Sequence, residues 1–306
     1  MVTLLKKAAT IILLRNGNPE GFEVFLLKRH EKSSFMGGNF VYPGGRLDRE
    51  DASLEISRFS KGVTPDEAQR ILGGTISPEE SFAHWIGGIR ELFEEAGILF
   101  AYDSKGHLIK METKEDQKKF SNYRTLLQKG GITLSEIAKE ENILLALDQL
   151  HYYAHWITPV ARSERFDTRF FLACLPLEQV ATHDQKETTE AVWLAPQDAL
   201  QENLRGRMAL SPPTLKTLED LSRFKRIEDI FLSLKEKSIS AILPILTKIS
   251  DEPTIIFPWD PEYEEFHRGG FSPSVNRARP SNLGDHTTRL LLRKGIWYPY
   301  CYAGSS

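Results

Sequence analysis

The chain has 306 residues, of which 41% are apolar and 26% charged, and a formal net charge of −3. This excludes a disordered or fibrous protein, allows a sizeable core in one large or two small domains, and gives no chain-wide attraction to nucleic acid or to an acidic membrane. Only two cysteines, Cys174 and Cys301, exclude a disulfide framework and point to a reducing compartment, so cytoplasm is the expected location.

Lys6-Lys7 ahead of Ala8 to Leu14 has the look of a leader, but the apolar run is short and Arg15 closes it, so a first strand is predicted. Phe22 to Lys28 is its expected partner across the polar turn from Asn16 to Gly21, and Phe40 to Tyr42 adds a third strand. Thr64-Pro65-Asp66-Glu67 and Ser77-Pro78-Glu79-Glu80 each combine an N-cap, a proline at the first helical position and a capping-box glutamate. Gly73-Gly74 ends the first of these two helices. Ile98 to Tyr102 is predicted as a strand, Thr113 to Lys129 as a helix stopped by Gly130-Gly131, and a short helix starts at Thr133 with Glu136 closing its capping box. His155 to Val160, Arg169 to Leu175 and Ala191 to Leu194 return to strand character. Beyond Pro196, helices are expected over 197–203, 213–224 and 227–235, with short strands at 255–258 and 290–293. No stretch is long enough to span a bilayer.

The chemistry concentrates in Arg90-Glu91-Leu92-Phe93-Glu94-Glu95-Ala96-Gly97. At ~100° per residue, Phe82, Trp85, Ile86, Ile89, Leu92, Phe93 and Ala96 share one face of a helix, while Glu91, Glu94 and Glu95 gather on the other. Such hard oxygen ligands suit Mg²⁺ or Mn²⁺, and so close a cluster repels itself unless a cation sits among its members. A solvated acidic helix face is the plain alternative. Pro43-Gly44-Gly45, which lets backbone approach a ligand closely, and the helix stop at Gly97 weigh against it.

R-E-x-x-E-E-x-G with a following aliphatic residue resembles the second half of the Nudix box, with Gly45 as the opening glycine. From Gly45 to Arg90 is 45 positions, far beyond the family spacing, so an insertion of about 51–77 interrupts the box, and Asp51 stands for its first glutamate. Leu26-Leu27-Lys28-Arg29, Phe35-Met36-Gly37-Gly38 and Val41-Tyr42-Pro43-Gly44-Gly45 are similar to the approach segment of coenzyme A diphosphatases. In that segment Ser34 stands where those enzymes carry a second arginine. Trp156-Ile157-Thr158-Pro159, Arg165 to Phe171, Pro212-Pro213 and Ile242-Leu243-Pro244-Ile245 resemble the acyl-coenzyme A diphosphatase (Nudix motif 19) branch, whose box is interrupted.

That resemblance implies an α+β fold: a Nudix-type α/β/α sandwich on a mixed sheet over 1–204, with a second helical insertion at 111–150. Extra C-terminal helices in a 205–306 extension pack on the core. It implies metal-dependent hydrolysis of a diphosphate linkage in coenzyme A or acyl-CoA, giving 3′,5′-ADP and a phosphopantetheine. Hydrolysis of ADP-ribose, a dinucleotide cofactor or capped RNA is the second reading, and a non-catalytic nucleotide sensor the third. The implied metal ligands are Glu91, Glu94, Glu95 and the Gly45 carbonyl, holding Mg²⁺ or Mn²⁺. Glu91, Glu94, Arg90 and Glu190 are the catalytic candidates, with Glu187 as an alternative loop glutamate. Arg29, Lys32, Gly44 and Gly45 are the substrate-binding candidates. His84 is expected to be a structural histidine in preference to a phosphate or base contact, and Trp193 and Phe170 core residues in preference to stacking platforms. The expected partner is a small nucleotide substrate, without a membrane and without nucleic acid other than a capped RNA end. A second copy of the chain is a candidate partner. The insertion at 51–77 is expected to shape the substrate entrance.

Overall fold

The computed structural model describes residues 4–17, 21–33, 36–184, 186–235, 237–268, 278–281 and 285–302. Parts of the first turn (18–20), Ser34 and Phe35 lie outside the described residues.

The first half contains β1 (Leu5–Asn16), β2 (Phe22–Arg29), β3 (Phe40–Val41), β4 (Gly44–Arg46), α1 (Leu54–Arg58), β5 (Ser60–Lys61), α2 (Pro65–Ile71) and α3 (Pro78–Ala96). It continues through β6 (Ala101–Tyr102), α4 (Lys114–Leu127), α5 (Leu134–Glu140), β7 (Leu144–Ala146), β8 (His151–Ile157), β9 (Arg165–Cys174) and β10 (Thr188–Leu194). Then come α6 (Pro196–Leu204), α7 (Pro212–Leu221), α8 (Ile227–Leu234), β11 (Ala241–Ile242), β12 (Ile245–Ile249), β13 (Glu252–Ile256), α9 (Tyr263–His267), β14 (Ala278–Pro280), β15 (Arg289–Arg293) and β16 (Ile296–Tyr302).

The main sheet runs β10-β2-β1-β9-β8-β11, with β3 on β2 and β4 on β1. It is mixed: β1 lies parallel to β9 and antiparallel to β2 and β4. Helices cover both faces, so its central strand is apolar on both sides and reads as a continuous run instead of an alternating one. Ile11 and Leu13 join the core under α3, while Ile12 and Leu14 join the core shared with α6, α7 and α8. This is the expected α+β sandwich. Among the described residues no helix is long and apolar enough to cross a membrane.

Local signals explain the helix ends. Thr64 accepts the Glu67 N–H while Glu67 returns a carboxylate to the Thr64 N–H, and Thr133 and Glu136 do the same. Ser77 caps α3 by accepting the Glu80 N–H, with Pro78 at the first position. Glu80 does not complete a capping box there, because its carboxylate pairs with Lys7.

Two expectations change. The strand predicted over Ile98 to Tyr102 shortens to Ala101–Tyr102, because the Gln179 side chain takes both the N–H and the C=O of Leu99, at 2.9 and 3.0 Å, as a neighbouring strand would. The C-terminal extension holds more sheet than helix: β12-β13-β15-β16-β14 form an antiparallel sheet where only two short strands were expected. Its Ile255, Phe257, Leu290 and Trp297 share one buried cluster with Ile12 and Leu14 of β1 and with Leu215, Leu218 and Leu221 of α7.

Candidate active site

Arg90 is 7% exposed and organises the first half of the site. Its Nε donates to Asp51 Oδ1 at 2.9 Å, and its Nη2 to Asp51 Oδ2 at 3.0 Å and to the Arg46 carbonyl at 2.7 Å. Its Nη1 donates to Glu91 at 2.9 Å and to Glu94 at 3.3 Å. Asp51, 1% exposed, also accepts the Asp48 N–H at 2.8 Å. The loop after β4 is thereby bolted to α3 by a bidentate charge-assisted pair, and Asp51 occupies a bracing position.

Gly44 and Gly45 face the acidic turn from β4. The Gly44 N–H donates to Glu95 Oε2 at 2.9 Å. A Cβ on Gly45 would lie 2.5 Å from the Glu91 carboxylate, so a side chain there would push that carboxylate from its present position. The three glutamates do not all face outward as the helical projection suggests: Glu95 is buried at 5% exposure, and Glu91 and Glu94 are partly buried. Burial raises the Glu95 carboxyl well above the usual carboxylate range, helped by the charge of Glu91 and opposed by the Gly44 N–H and Arg29. Burial also raises Glu91, against the pull of Arg90 and with the push of Glu94, and Glu94 is raised for the same first reason. Glu91 and Glu94 share Arg90 while Glu95 accepts the Gly44 N–H, and among the described residues no group of three His, Cys, Asp or Glu is gathered as a metal cage.

The opposite wall comes from the end of β2 and from the segment before β10. Arg29 closes β2, its charge reaches Glu95, and its Nε is buried without a hydrogen-bond partner. Lys32 is exposed in the next turn, where its N–H donates to His30 Nδ1 at 3.1 Å. The His30 N–H in turn donates to the Glu187 carbonyl at 2.9 Å, and the charge of Glu187 acts on Glu95. Glu190, the other candidate, sits opposite Lys28 in the β10–β2 register and is exposed. Both glutamates are exposed; Glu187 is held to the end of β2 by its backbone, and Glu190 lies on the sheet surface. A register shift between Thr188 and Glu190 separates the two positions in a way that spacing does not reveal. Phe170 is a core residue; Trp193 is partly buried, packed against Phe25 and Arg15.

Residues of α4 that the sequence did not single out also reach the site. Arg124 donates to the carbonyls of Glu94 and Glu95 at 2.8 and 2.7 Å, and Gln128 donates to the Glu94 carbonyl at 2.6 Å. Helix ends need such donors, but the sequence does not disclose which remote side chain supplies them.

His84, two turns before Glu91, is 1% exposed, and its Nδ1 lies 2.9 Å from the Glu80 carbonyl. A carbonyl only accepts, so Nδ1 carries a proton, while the buried Nε2 has no hydrogen-bond partner. Burial first, then the Arg169 and Lys7 charges, lower its pKa from 6.5 to about 4, against the Glu80 carbonyl and Asp167. Between these values the unfolded chain binds the proton and the fold does not. Stability therefore falls as pH drops through that window, by roughly 3 kcal/mol in the limit, with no further loss below it. His84→Asn keeps a donor for Glu80 and removes the titration, so its stability should depend less on pH across the window. Equal slopes in denaturant titrations of the two proteins would rule this out.

A separate cavity of about 400 Å³ lies between the insertion and the start of α3, lined among others by Ser57, Gly62, Thr64, Glu67 and Phe82, with none of Glu91, Glu94 and Glu95 in its wall.

A family model described as the NUDT19 Nudix domain matches residues 5–223. The acyl-coenzyme A diphosphatase NUDT19 of Xenopus laevis is 29% identical over 285 residues, covering 82% of this chain and 74% of that protein. The Homo sapiens protein of the same name is 25% identical over 278 residues, covering 80% of this chain and 73% of its own length. The crystal structure of a NUDIX hydrolase from Alicyclobacillus acidocaldarius superposes with a TM-score of 0.64 at 25% identity, covering 78% of this chain and all of that one.

Proposed function

The chain belongs to the NUDT19 Nudix domain family and is a Nudix diphosphatase, and from that premise we propose that it cleaves coenzyme A or an acyl-CoA into 3′,5′-ADP and the matching phosphopantetheine. The observation that carries the diphosphate chemistry is the acidic turn of α3 closed by Gly44 and Gly45, with one carboxylate bonded to backbone and two to Arg90. The substrate is inferred from relatives named acyl-coenzyme A diphosphatase that align with most of the chain.

Glu91, Glu94, Glu95 and the Gly45 carbonyl fit a divalent cation, Mg²⁺ or Mn²⁺. Their oxygens are hard donors, and the charges of Glu91 on buried Glu95 and of Glu94 on Glu91 oppose ionisation, the mismatch that a cation removes. When bound, such an ion offsets charge on the phosphoryl oxygens and makes water a better nucleophile. In the reaction, a water oxygen bonds to one phosphorus, the bridging P–O bond breaks, and its electron pair leaves with the other phosphate. Arg90 keeps Glu91 and Glu94 oriented through its bond to Asp51. A carboxylate takes the proton from water, and of the two loop candidates we favour Glu187, whose backbone carbonyl accepts the His30 N–H at the end of β2. Arg29, partly buried at the end of β2, is assigned to a substrate phosphate, with exposed Lys32 beyond it.

A panel of coenzyme A, acyl-CoAs, ADP-ribose, dinucleotide cofactors and capped RNA, each with Mg²⁺ or Mn²⁺, tests the reading. Failure on every coenzyme A compound with brisk turnover of another would reject the substrate and keep the chemistry. Within the panel, Arg29→Ala should raise KM for coenzyme A more than for ADP-ribose, which lacks the 3′-phosphate. The difference corresponds to roughly 1.5–3 kcal/mol for a charge-assisted contact. Equal losses on both would move Arg29 to the shared diphosphate or to the scaffold.

A further inference from the structure

We propose that Arg124 is a positioning residue that fixes the acidic turn of α3 against the segment carrying Thr182, Asp184 and Glu187, and so holds that loop in its place relative to the turn. This rests on the assignment of that turn to the reaction.

The guanidinium bonds both sides of the gap. Toward α3, Nε and Nη2 donate to the Glu94 and Glu95 carbonyls. Toward the other segment, Nη2 donates to the Thr182 carbonyl at 3.0 Å and Nη1 to the Thr182 hydroxyl at 3.2 Å. A second strut runs in parallel: Lys186 Nζ donates to Gln128 Oε1 at 2.7 Å, and Gln128 donates to the Glu94 carbonyl. Beyond Thr182 the chain is set locally by Asp184, which accepts the N–H groups of Lys186, Glu187 and Thr188 as well as the Thr188 hydroxyl. The Glu187 backbone therefore has a fixed path, held to α3 by the Thr182 N–H on the Ala96 carbonyl at 2.9 Å and to the end of β2 by the His30 N–H on the Glu187 carbonyl at 2.9 Å, and Arg124 and Gln128 brace that junction from α4.

Arg124 also answers an electrostatic problem. The C-terminal end of a helix carries partial negative charge, and here it carries glutamates as well, so a cation at its carbonyls offsets both. Gly97 leaves room for it. Its φ of 74° is left-handed, and a Cβ there would stand 3.1 Å from Arg124 Nη1. A lysine brings one ammonium and no planar fork, so it can hold one side of the gap but not both.

The test compares the parent with Arg124→Ala and Arg124→Lys in the full chain. Three readouts are used: steady-state kinetics on the best panel substrate, binding of Mn²⁺ alone, and amide hydrogen exchange at Glu187 and Thr188. Arg124→Ala is expected to lower kcat by roughly 10–100-fold with KM nearly unchanged, to weaken Mn²⁺ binding, and to speed exchange at both amides. Guanidinium ion at low millimolar concentration should restore part of the kcat. Arg124→Lys should fall between the two and carries the comparison if the alanine variant does not fold. A folded variant with parent-like exchange and kcat overturns the proposal. If the parent hydrolyses no diphosphate in the panel, the assignment of function fails, while the exchange and Mn²⁺ comparisons still decide the role of Arg124.

Discussion

Glu94→Gln and Glu95→Gln are each expected to cut turnover by roughly a hundredfold or more while leaving the fold at least as stable as the parent. The two effects have separate causes. Each substitution removes a hard ligand, and with it the charge that would hold a divalent ion at the scissile diphosphate. In the metal-free fold the same charge is a liability, above all at Glu95, which is 5% exposed and lies near Glu91. A glutamine there keeps an oxygen for the Gly44 N–H and removes the buried charge, so thermal unfolding without metal should shift upward or stay level. Turnover and melting temperature measured on the same preparations decide the matter. Near-normal turnover in both variants would remove these residues from the metal site.

Arg90→Ala is expected to reverse that balance and cost the fold about 3–5 kcal/mol, because breaking a buried pair strands its partner. Asp51 would keep its carboxylate at 1% exposure with only the Asp48 N–H as a donor, and the Arg46 carbonyl would lose its partner. Arg90→Lys should recover little, since one ammonium cannot serve both Asp51 oxygens, the Arg46 carbonyl and Glu91 together. The double variant Arg90→Met with Asp51→Leu removes both charges and should lose less than Arg90→Ala alone. Urea denaturation of the set measures the coupling. A loss within about 1 kcal/mol for Arg90→Ala would show that the loop does not depend on this pair.

What the sequence disclosed and what it concealed follow from the range of the interactions involved. Caps are local, so Thr64 with Glu67 and Thr133 with Glu136 were legible from residues three apart, and each capping box is present. The acidic turn was legible because helix geometry groups Glu91, Glu94 and Glu95 whatever lies opposite. Its burial was not, since that depends on β4, which reaches Glu95 from Gly44, 51 residues away. The bulge that turns Glu190 aside and the fork of Arg124 depend equally on partners far along the chain. The five-stranded C-terminal sheet was only half legible: Ile255-Ile256 and Leu290 to Arg293 have strand patterning, whereas Pro253, Pro280 and Pro299 interrupt the same reading in β13, β14 and β16.

The parallel pairing of β1 with β9 has a further consequence, for the order in which the molecule is built. Leu5 pairs with Arg165 and Leu14 with Cys174, so the first strand to be synthesised cannot acquire its parallel neighbour until more than half the chain has followed. At ribosomal speeds of ~5–20 residues per second, that delay is on the order of ten seconds. Throughout it, Ile11, Ile12, Leu13 and Leu14, all fully buried in the finished protein, lack their register partners in β9, and only the flanking parts of β1 can pair with β2 and β4. Closing so long a loop before any contact rewards it makes this pairing the slow step of folding. The apolar strand at the centre of the sheet is therefore the segment most exposed to self-association during biosynthesis, and early pairing with β2 is its first protection.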